Sequence, residues 1–244
     1  MGALAVVAVE PGRISAVTGA LTAAVGVRAP RFVDEDACRR LVGGVYAGRS
    51  AWTAAFDGVQ FSLGRAWYTD LELGRTGAYF ADAAASDARV EASCPGLQDL
   101  MRGAASAVAG APVAQRRGFC GPGVHVFPAG GWLAGHGGDV HFDVEGLSPA
   151  QIRGRAPALT YVLMLPAPER GGALRLWDAT YEGSEAPTDA MLSRRHVDVE
   201  YATGDLLVID SYRLHQIQPF EGATDRVSAT CHAALAGASW EVWF

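Results

Sequence analysis

The chain has 244 residues, of which 50% are hydrophobic and 19% charged, and its formal net charge at pH 7 is -6. This composition excludes a disordered or fibrous protein and fits one compact globular unit. All 20 basic residues are Arg, which excludes a lysine Schiff base and a lysine anchor for an anionic cosubstrate. Because the balance is acidic and no arginine-rich stretch alternates with aromatic residues, we expect no nucleic-acid partner.

Neither the N-terminus nor the cysteines indicate a membrane or secreted protein. The apolar run at residues 3–9 has no basic residue before it, and Glu10 and Arg13 interrupt it well short of a membrane span. The four cysteines form no C-x-x-C pair, which argues against a disulfide framework or a thiolate zinc site: Cys38, Cys94, Cys120 and Cys231. We expect a cytoplasmic protein with reduced cysteines and no membrane partner.

Two helices are predicted in the first hundred-odd residues. Asp34 can cap a helix whose apolar positions recur at helical spacing as far as Gly48. A second helix follows Pro95 and ends at Gly110. Between them, residues 52–80 are rich in aromatic side chains, which either pack in the core or form a lid.

From Arg117 onward, short runs bounded by Gly, Pro and Asp predict strands. Eight strands are predicted, at residues 123–127, 139–143, 158–165, 173–178, 196–201, 205–210, 213–218 and 226–235. This number of short strands favours a double-sheet jelly roll of the cupin type. We therefore expect an α+β, mainly β single domain over residues 1–244, with mostly helical support in residues 1–116, where a lid is one alternative, and a double-stranded β-helix core in residues 117–244.

One predicted strand carries a pair of potential metal ligands. His141 and Asp143 are two residues apart, so both side chains can point to the same face of a strand. Imidazole and carboxylate together suit a divalent metal of the iron or zinc type. The pair alone is weak evidence, because a second one, His196 with Asp198, is also present.

Residues further along the chain complete the pattern. His215 lies on a later predicted strand, and the next strand opens with Arg226 and Ser228, two apart and facing the same way. A guanidinium grips a carboxylate through two parallel hydrogen bonds, and a hydroxyl can donate a third. The sequence therefore predicts a metal site with a dicarboxylate binding beside it.

These motifs, in this order and spacing, resemble the iron(II)- and 2-oxoglutarate-dependent oxygenases of the prolyl-hydroxylase-like branch. The resemblance covers roughly residues 120–235. Its elements are His141-x-Asp143, the Gly-Gly-x-Leu run at Gly171 to Leu174, the Gly204-Asp205 turn, His215 and Arg226-x-Ser228. Many prolyl hydroxylases hold 2-oxoglutarate with a Lys, which this chain does not contain. That difference shifts the resemblance toward bacterial small-molecule hydroxylases.

The resemblance implies specific cofactors and roles. His141, Asp143 and His215 would be the catalytic iron(II) ligands, Arg226 and Ser228 would bind 2-oxoglutarate, and O2 would be the cosubstrate. The family hydroxylates substrate C–H bonds and releases succinate and carbon dioxide. In the related halogenases a small residue replaces the carboxylate, so Asp143 favours hydroxylation, while desaturation, epimerisation and cyclisation stay open. The His196 pair leaves too little chain before His215 for the Gly-Gly-x-Leu strand, and we interpret it as a surface pair.

Several other residues are candidates for the pocket, each with an ordinary structural alternative. His125 could contact 2-oxoglutarate or be a hydrogen-bonded strand histidine. Trp132 and Trp67 lie on glycine-flanked loops and are candidates for substrate contacts, as is Arg213, two residues before His215. His232 shares a strand face with Arg226, where a packed imidazole is the default.

Two other functions are open from the residues alone. A zinc or iron cupin hydrolase or isomerase could use the same barrel but would not need Arg226 or Ser228. A non-catalytic jelly-roll binding module is less favoured because all three ligands are intact. We expect a small-molecule substrate such as an amino acid, a peptide or a natural-product intermediate. A homodimer and a carrier-protein-tethered substrate stay open.

Overall fold

The computed structural model describes residues 4–16, 21 and 24–244. Helices α1 to α7 span, in order, Glu35–Ala47, Trp67–Glu72, Thr76–Ser93, Leu97–Ala109, Trp132–His136, Pro149–Arg153 and Asp189–Leu192. Short 3-10 turns lie at Pro11–Ala16, Arg49–Ala51 and Phe56–Gly58. Among the described residues, no helix combines the length and the apolar character that a membrane span requires.

Strands β1 to β15 span, in order, Val6–Ala8, Gly26–Ala29, Thr53–Ala55, Gln60–Leu63, Val113–Gln115, Gly123–Phe127, Ala158–Met164, Arg170–Gly171, Leu174–Thr180, His196–Val199, Leu206–Asp210, Arg213–Ile217, Phe220–Glu221, Arg226–Ala236 and Ser239–Trp243. Within the described residues, ten strands form one large sheet, with the order β1-β2-β11-β7-β14-β6-β4-β3, and β15 pairs with β14 and β5. A smaller sheet has the order β10-β9-β12, and β8 pairs with β13.

The two helices predicted from caps and periodicity are confirmed. The Asp34 side chain accepts a hydrogen bond from the backbone N–H of Ala37, and Gly48 caps the other end of α1. Helix α4 ends at Gly110, which has a left-handed backbone with φ of 66°. Only glycine adopts this conformation without steric cost, so it terminates the helix.

Helix α3 was not predicted, although its 18 residues make it the longest of α1 to α7. Its buried face consists of Tyr79, Ala83, Ser86 and Val90. The spacing is helical, but two of the four side chains are small and one of those is polar. The apolar periodicity that marks a buried helix is therefore weak in the sequence.

The strand predicted at residues 139–143 is wrong. This segment makes a single isolated bridge, between His141 and His215. Gly137, just before it, has a positive φ of 80°, which breaks the extended backbone. The other strand predictions from residue 123 onward match β6, β7, β9, β10, β11, β12 and β14 to within a few residues. Strands β1 to β5 add sheet to the N-terminal segment, where mostly helical structure and no strand was predicted.

The large sheet has one face toward the helices and the other toward the smaller sheet. The main core packs α1, α3 and α4 against the large sheet, with Val45, Val90 and Met101 among its buried residues. A second apolar cluster, which includes Met164 and Leu176, lies between the two sheets. This arrangement confirms the predicted mainly β, double-sheet core supported by N-terminal helices.

Candidate metal centre and cavity

A cavity of about 540 Å³ lies between the two sheets, and strands of both sheets line it. Alternation along β14 separates polar from apolar side chains. The residues of β14 that line the cavity are Arg226, Ser228, Thr230 and His232. The residues that alternate with them belong to the main core: Val227, Ala229, Cys231 and Ala233. One strand therefore supplies both the wall of the cavity and the packing beneath it.

The three predicted metal ligands meet at this cavity. His141 Nε2 lies 3.5 Å from Asp143 Oδ1, and His215 Nε2 lies 3.3 Å from Asp143 Oδ2. One ligand atom from each side chain lies within 4.8 Å of the other two. Two ligands bound at about 2.1 Å and at right angles to each other are about 3 Å apart. The three side chains are therefore spaced so that they could bind one face of a metal ion.

Backbone carbonyls orient both imidazoles in the same way. The Nδ1 atom of His141 lies 2.8 Å from the Asp139 carbonyl oxygen, and Nδ1 of His215 lies 2.8 Å from the Arg213 carbonyl oxygen. Because a carbonyl only accepts, each Nδ1 must carry the proton and donate it. Once Nε2 gives up its proton, the neutral ring presents the Nε2 lone pair on the Asp143 side of the cavity, which is the form that binds a metal.

The charges of the three groups are strongly coupled. Burial alone would lower the pKa of His141, but the hydrogen bond and charge of Asp143 raise it to about 9. Burial alone would raise the pKa of Asp143, but the charges of His215 and His232 and hydrogen bonds from the ligand histidines hold it well below its usual range. A proton shared among these groups occupies the place that a divalent cation could take.

Asp143 also has a neighbour that sequence analysis missed. Thr160, on β7, donates a hydrogen bond of 2.6 Å from its hydroxyl to Asp143 Oδ2. The same hydroxyl lies 2.9 Å from Ser211 Oγ and 3.1 Å from His232 Nδ1. No local pattern marks Thr160, since its strand alternates without a motif and its partners come from three separate segments.

Arg226 is a buried cation without an anionic partner. Its residue is only 1% exposed, and it lines the same cavity as the metal-ligand candidates. Its guanidinium donates to the Gly172 carbonyl oxygen at 3.4 Å and to the Tyr201 hydroxyl. Among the described residues it forms no salt bridge. Taking an unpaired charge out of water is costly, so this geometry favours an anionic ligand in the cavity. Tyr201 was not predicted, because only the fold brings it to Arg226.

Ser228 and His125 face each other across the pair β14 and β6. Both are buried and line the cavity. Burial, followed by the charges of His232 and Arg226, lowers the pKa of His125 to about 3, so the ring is neutral. Its Nδ1 is buried and has no hydrogen-bond partner among the described residues. Both side chains are therefore available to a ligand that reaches this wall.

The two predicted tryptophans line the cavity from different elements. Trp67, on α2, donates from its indole N–H to the Glu145 carbonyl oxygen at 2.9 Å and packs against Phe119. Trp132, on α5, is 54% exposed and stacks on His136. Trp67 is therefore a fixed part of the wall, whereas Trp132 lies at the opening.

Arg213 lies outside the cavity lining. The pairing of β12 with β9 shifts register between Arg213 and His215, so the two residues do not belong to one regular ladder. The Arg213 guanidinium instead donates to the Trp177 carbonyl oxygen at 2.9 Å. The second His-x-Asp pair is on β10, where His196 is exposed and Asp198 forms a salt bridge with Arg175 at 2.7 Å.

Three further carboxylates line the cavity: Glu72, Asp139 and Glu145. Burial, together with the charge of Asp143, raises the pKa of Glu145 to about 7. Burial also raises the pKa of Glu72, on α2. Glu145 follows Asp143 by two residues, a spacing that could have identified it, whereas Glu72 belongs to a helix that was not predicted.

No protein-family model matches the chain, and a search of curated proteins gives no match. Solved structures do match. The non-haem alpha-ketoglutarate-dependent epimerase SnoN from nogalamycin biosynthesis is 13% identical, with a TM-score of 0.58 over 94% of this chain and 86% of that one. A structure of SnoN in complex with Fe3+, alpha-ketoglutarate and nogalamycin RO has the same identity and TM-score over 96% of this chain and 99% of that one.

A third match is a prolyl hydroxylase in complex with a hypoxia inducible factor oxygen degradation domain peptide fragment, from Trichoplax adhaerens. It is 13% identical, with a TM-score of 0.55 over 92% of this chain and 90% of that one. At this level of identity the matches show a common fold, and they span almost the whole chain. The predicted fold, which the chain shares with these structures, is thereby confirmed.

Proposed function

We propose that this chain is an iron(II)- and 2-oxoglutarate-dependent oxygenase that acts on a small molecule. The proposal depends chiefly on one observation: the buried, unpaired Arg226 lines the same cavity as His141, Asp143 and His215. A metal with an anionic cosubstrate accounts for both features together. Similarity in fold to SnoN, whose structure contains Fe3+ and alpha-ketoglutarate, supports it.

The residues present fit both groups chemically. Two imidazoles and one carboxylate are the donor set of non-haem iron(II) oxygenases. Arg226 would grip the distal carboxylate of 2-oxoglutarate through two parallel hydrogen bonds, and the Ser228 hydroxyl would donate a third. When bound, iron and 2-oxoglutarate supply the activation of O2, with release of succinate and carbon dioxide. The protein orients the cosubstrate, excludes water and holds the substrate C–H bond near the metal.

A zinc hydrolase or isomerase of the cupin type explains less of the site. Such an enzyme needs a metal and a water, which the three ligands could provide. Its reaction does not require a buried guanidinium in the same cavity, so no ligand would offset the free-energy cost of burying Arg226. The unpaired cation therefore favours the oxygenase.

Hydroxylation is the outcome that we propose first, because Asp143 fills the position that halide occupies in the related halogenases. Epimerisation is the second candidate, since SnoN is an alpha-ketoglutarate-dependent epimerase and shares the fold. The two outcomes differ in mass. A hydroxylated product gains one oxygen atom, whereas an epimer keeps the mass of the substrate, so mass spectrometry of products from a small-molecule library separates them.

The cosubstrate assay tests the proposal before any substrate is known. Protein loaded anaerobically with iron(II) should bind 2-oxoglutarate and form succinate slowly when O2 is admitted, and zinc should inhibit. Arg226→Met should lose this binding, whereas Arg170→Met, which removes an exposed guanidinium paired with Glu221, should not. Equal 2-oxoglutarate binding by both variants, or activation by zinc, would contradict the proposal.

A further inference from the structure

Thr160 is placed between the candidate metal centre and two other polar side chains. Its residue is 3% exposed, and its hydroxyl oxygen lies within hydrogen-bond distance of Asp143 Oδ2, Ser211 Oγ and His232 Nδ1. The bond to Asp143 is the shortest of the three, at 2.6 Å. Thr160 is on β7 and His232 is on β14. Ser211 directly follows β11, and Asp143 lies in the segment before α6.

The direction of each hydrogen bond follows from the number of protons. A threonine hydroxyl has one proton and two lone pairs, whereas an ionised carboxylate only accepts. The proton of Thr160 must therefore go to Asp143, and the two lone pairs receive the Ser211 hydroxyl and the Nδ1–H of His232. All donor and acceptor capacity of Thr160 is then used, which fixes the hydroxyl in one orientation.

We propose that Thr160 is a positioning residue for the metal centre, whose hydroxyl caps Oδ2 of Asp143 and leaves Oδ1 as the oxygen that binds the metal. This inference rests on the proposed function. It assigns to Ser211 and His232 the role of holding the Thr160 hydroxyl in place, and to Thr160 the choice between the two carboxylate oxygens.

The choice of oxygen has a chemical consequence. A carboxylate can bind a metal through one oxygen or through both, and the second mode takes an additional coordination position. The proposed reaction would need positions on the metal that stay open for 2-oxoglutarate and O2. A cap on Oδ2 keeps that oxygen engaged with the protein and so protects the open positions.

The alternative is a merely structural role, in which Thr160 ties β7 to its neighbours. Loss of the hydroxyl would then lower stability and leave the metal centre unchanged. Groups that orient metal ligands have a different signature, because their removal typically costs 10- to 100-fold in metal affinity. Metal affinity and ligand-field spectra therefore separate the two roles without any turnover measurement.

The test uses cobalt(II) as the probe and the full chain. Thr160→Val keeps the shape of the side chain but removes the donor, and Thr160→Ser keeps the donor. Ser62→Ala is the matched control, since it removes a buried hydroxyl that donates to the Gly64 carbonyl oxygen and has no contact with the Thr160 cluster. We expect cobalt(II) affinity to fall about 10- to 100-fold in Thr160→Val, and to stay within about threefold of native in the other two. The visible cobalt spectrum of Thr160→Val should also shift toward higher coordination number.

Thr160→Ala, which also lacks the hydroxyl donor, is measured in parallel. The inference can then still be tested if Thr160→Val fails to fold. Native affinity and spectrum in both donor-free variants would overturn the inference. If the native chain does not bind cobalt(II), or if Asp143→Ala binds it equally well, the proposed function itself fails. Failure of the proposed function can be distinguished from failure of the Thr160 inference, because cobalt(II) binding by the native chain and by Asp143→Ala is measured before any Thr160 variant.

Discussion

His141 and His215 bind each other through their backbones, each N–H donating to the carbonyl oxygen of the other at 3.0 Å. Their rings lie 4.2 Å apart, between centroids, on the same side of this bridge. Two candidate ligands from distant stretches are thus joined by the main chain before any metal binds. A preformed site of this kind loses little conformational entropy on binding.

The two His-x-Asp pairs of the chain provide an internal comparison. We expect His141→Ala to lose cobalt(II) binding and His196→Ala to keep it, since His196 lies on an exposed strand away from the cavity. Isothermal titration of both variants measures this difference. Retained affinity in His141→Ala, or equal loss in both variants, would exclude His141 as a ligand.

Arg226→Met should separate cosubstrate binding from stability. The substitution removes two charge-assisted hydrogen bonds to 2-oxoglutarate, each worth about 1.5–3 kcal/mol, so affinity should fall by about 100-fold or more. It also removes a buried charge that has no salt-bridge partner among the described residues, so the unfolding free energy should stay the same or rise. Equilibrium binding of 2-oxoglutarate and urea unfolding check the two parts.

Tyr201→Phe is the companion change. Tyr201 accepts a hydrogen bond from Arg226 and does not line the cavity, so its loss should weaken 2-oxoglutarate binding less than loss of the guanidinium, by about tenfold. A larger effect in Tyr201→Phe than in Arg226→Met would show that Arg226 is not the anchor.

The parts of this site that could be predicted are those in which the functional residues are close together in the sequence. His141-x-Asp143 and Arg226-x-Ser228 each put two side chains on one face by strand alternation, which survives even where the strand at residues 139–143 shrinks to one bridge. Thr160 and Tyr201 could not be predicted, because each acts through residues that are distant in the chain. Arg213 shows the limit of alternation itself, since the strand pairing shifts register between Arg213 and His215 and the Arg213 guanidinium donates to the Trp177 carbonyl oxygen. The single-domain organisation and the ligand roles stay predictions.

Metal binding should depend on pH because a proton and a metal compete for the ligands. The pKa of His141 is raised to about 9, since Asp143 outweighs the effect of burial. A metal needs the neutral ring, so cobalt(II) must displace this proton at lower pH. We expect affinity to rise by up to about tenfold per pH unit from about pH 7 to about pH 9, and then to level off.

The metal-free protein should show the opposite trend. A raised pKa stabilises the folded state fully below the unfolded value of about 6.5, and this contribution is lost as the pH rises through about 9. Thermal melting across this range, with and without cobalt(II), should therefore give a falling curve for the metal-free chain and a growing difference between the two. If the melting temperatures with and without cobalt(II) changed in parallel with pH, His141 would not carry the proton that competes with the metal.

The final prediction concerns the wall of the cavity formed by α2. Asp70 is fully buried and lies between Arg65, which binds both of its oxygens at 2.9 and 2.6 Å, and Arg75 at 3.0 Å. Asp70→Ala removes the close anionic partner of both guanidinium groups and leaves Arg65 only the longer contact with Asp82 at 3.8 Å, so it should lower the unfolding free energy by about 3 kcal/mol or more. Asp36→Ala, which removes an exposed partner of Arg39 on α1, should cost less than about 1 kcal/mol. Helix α2 carries Trp67 and Glu72, which line the cavity, so we expect Asp70→Ala to loosen this side of the cavity while cobalt(II) affinity stays near native. Equal unfolding free energies of Asp70→Ala and Asp36→Ala in urea would refute the stabilising role of Asp70.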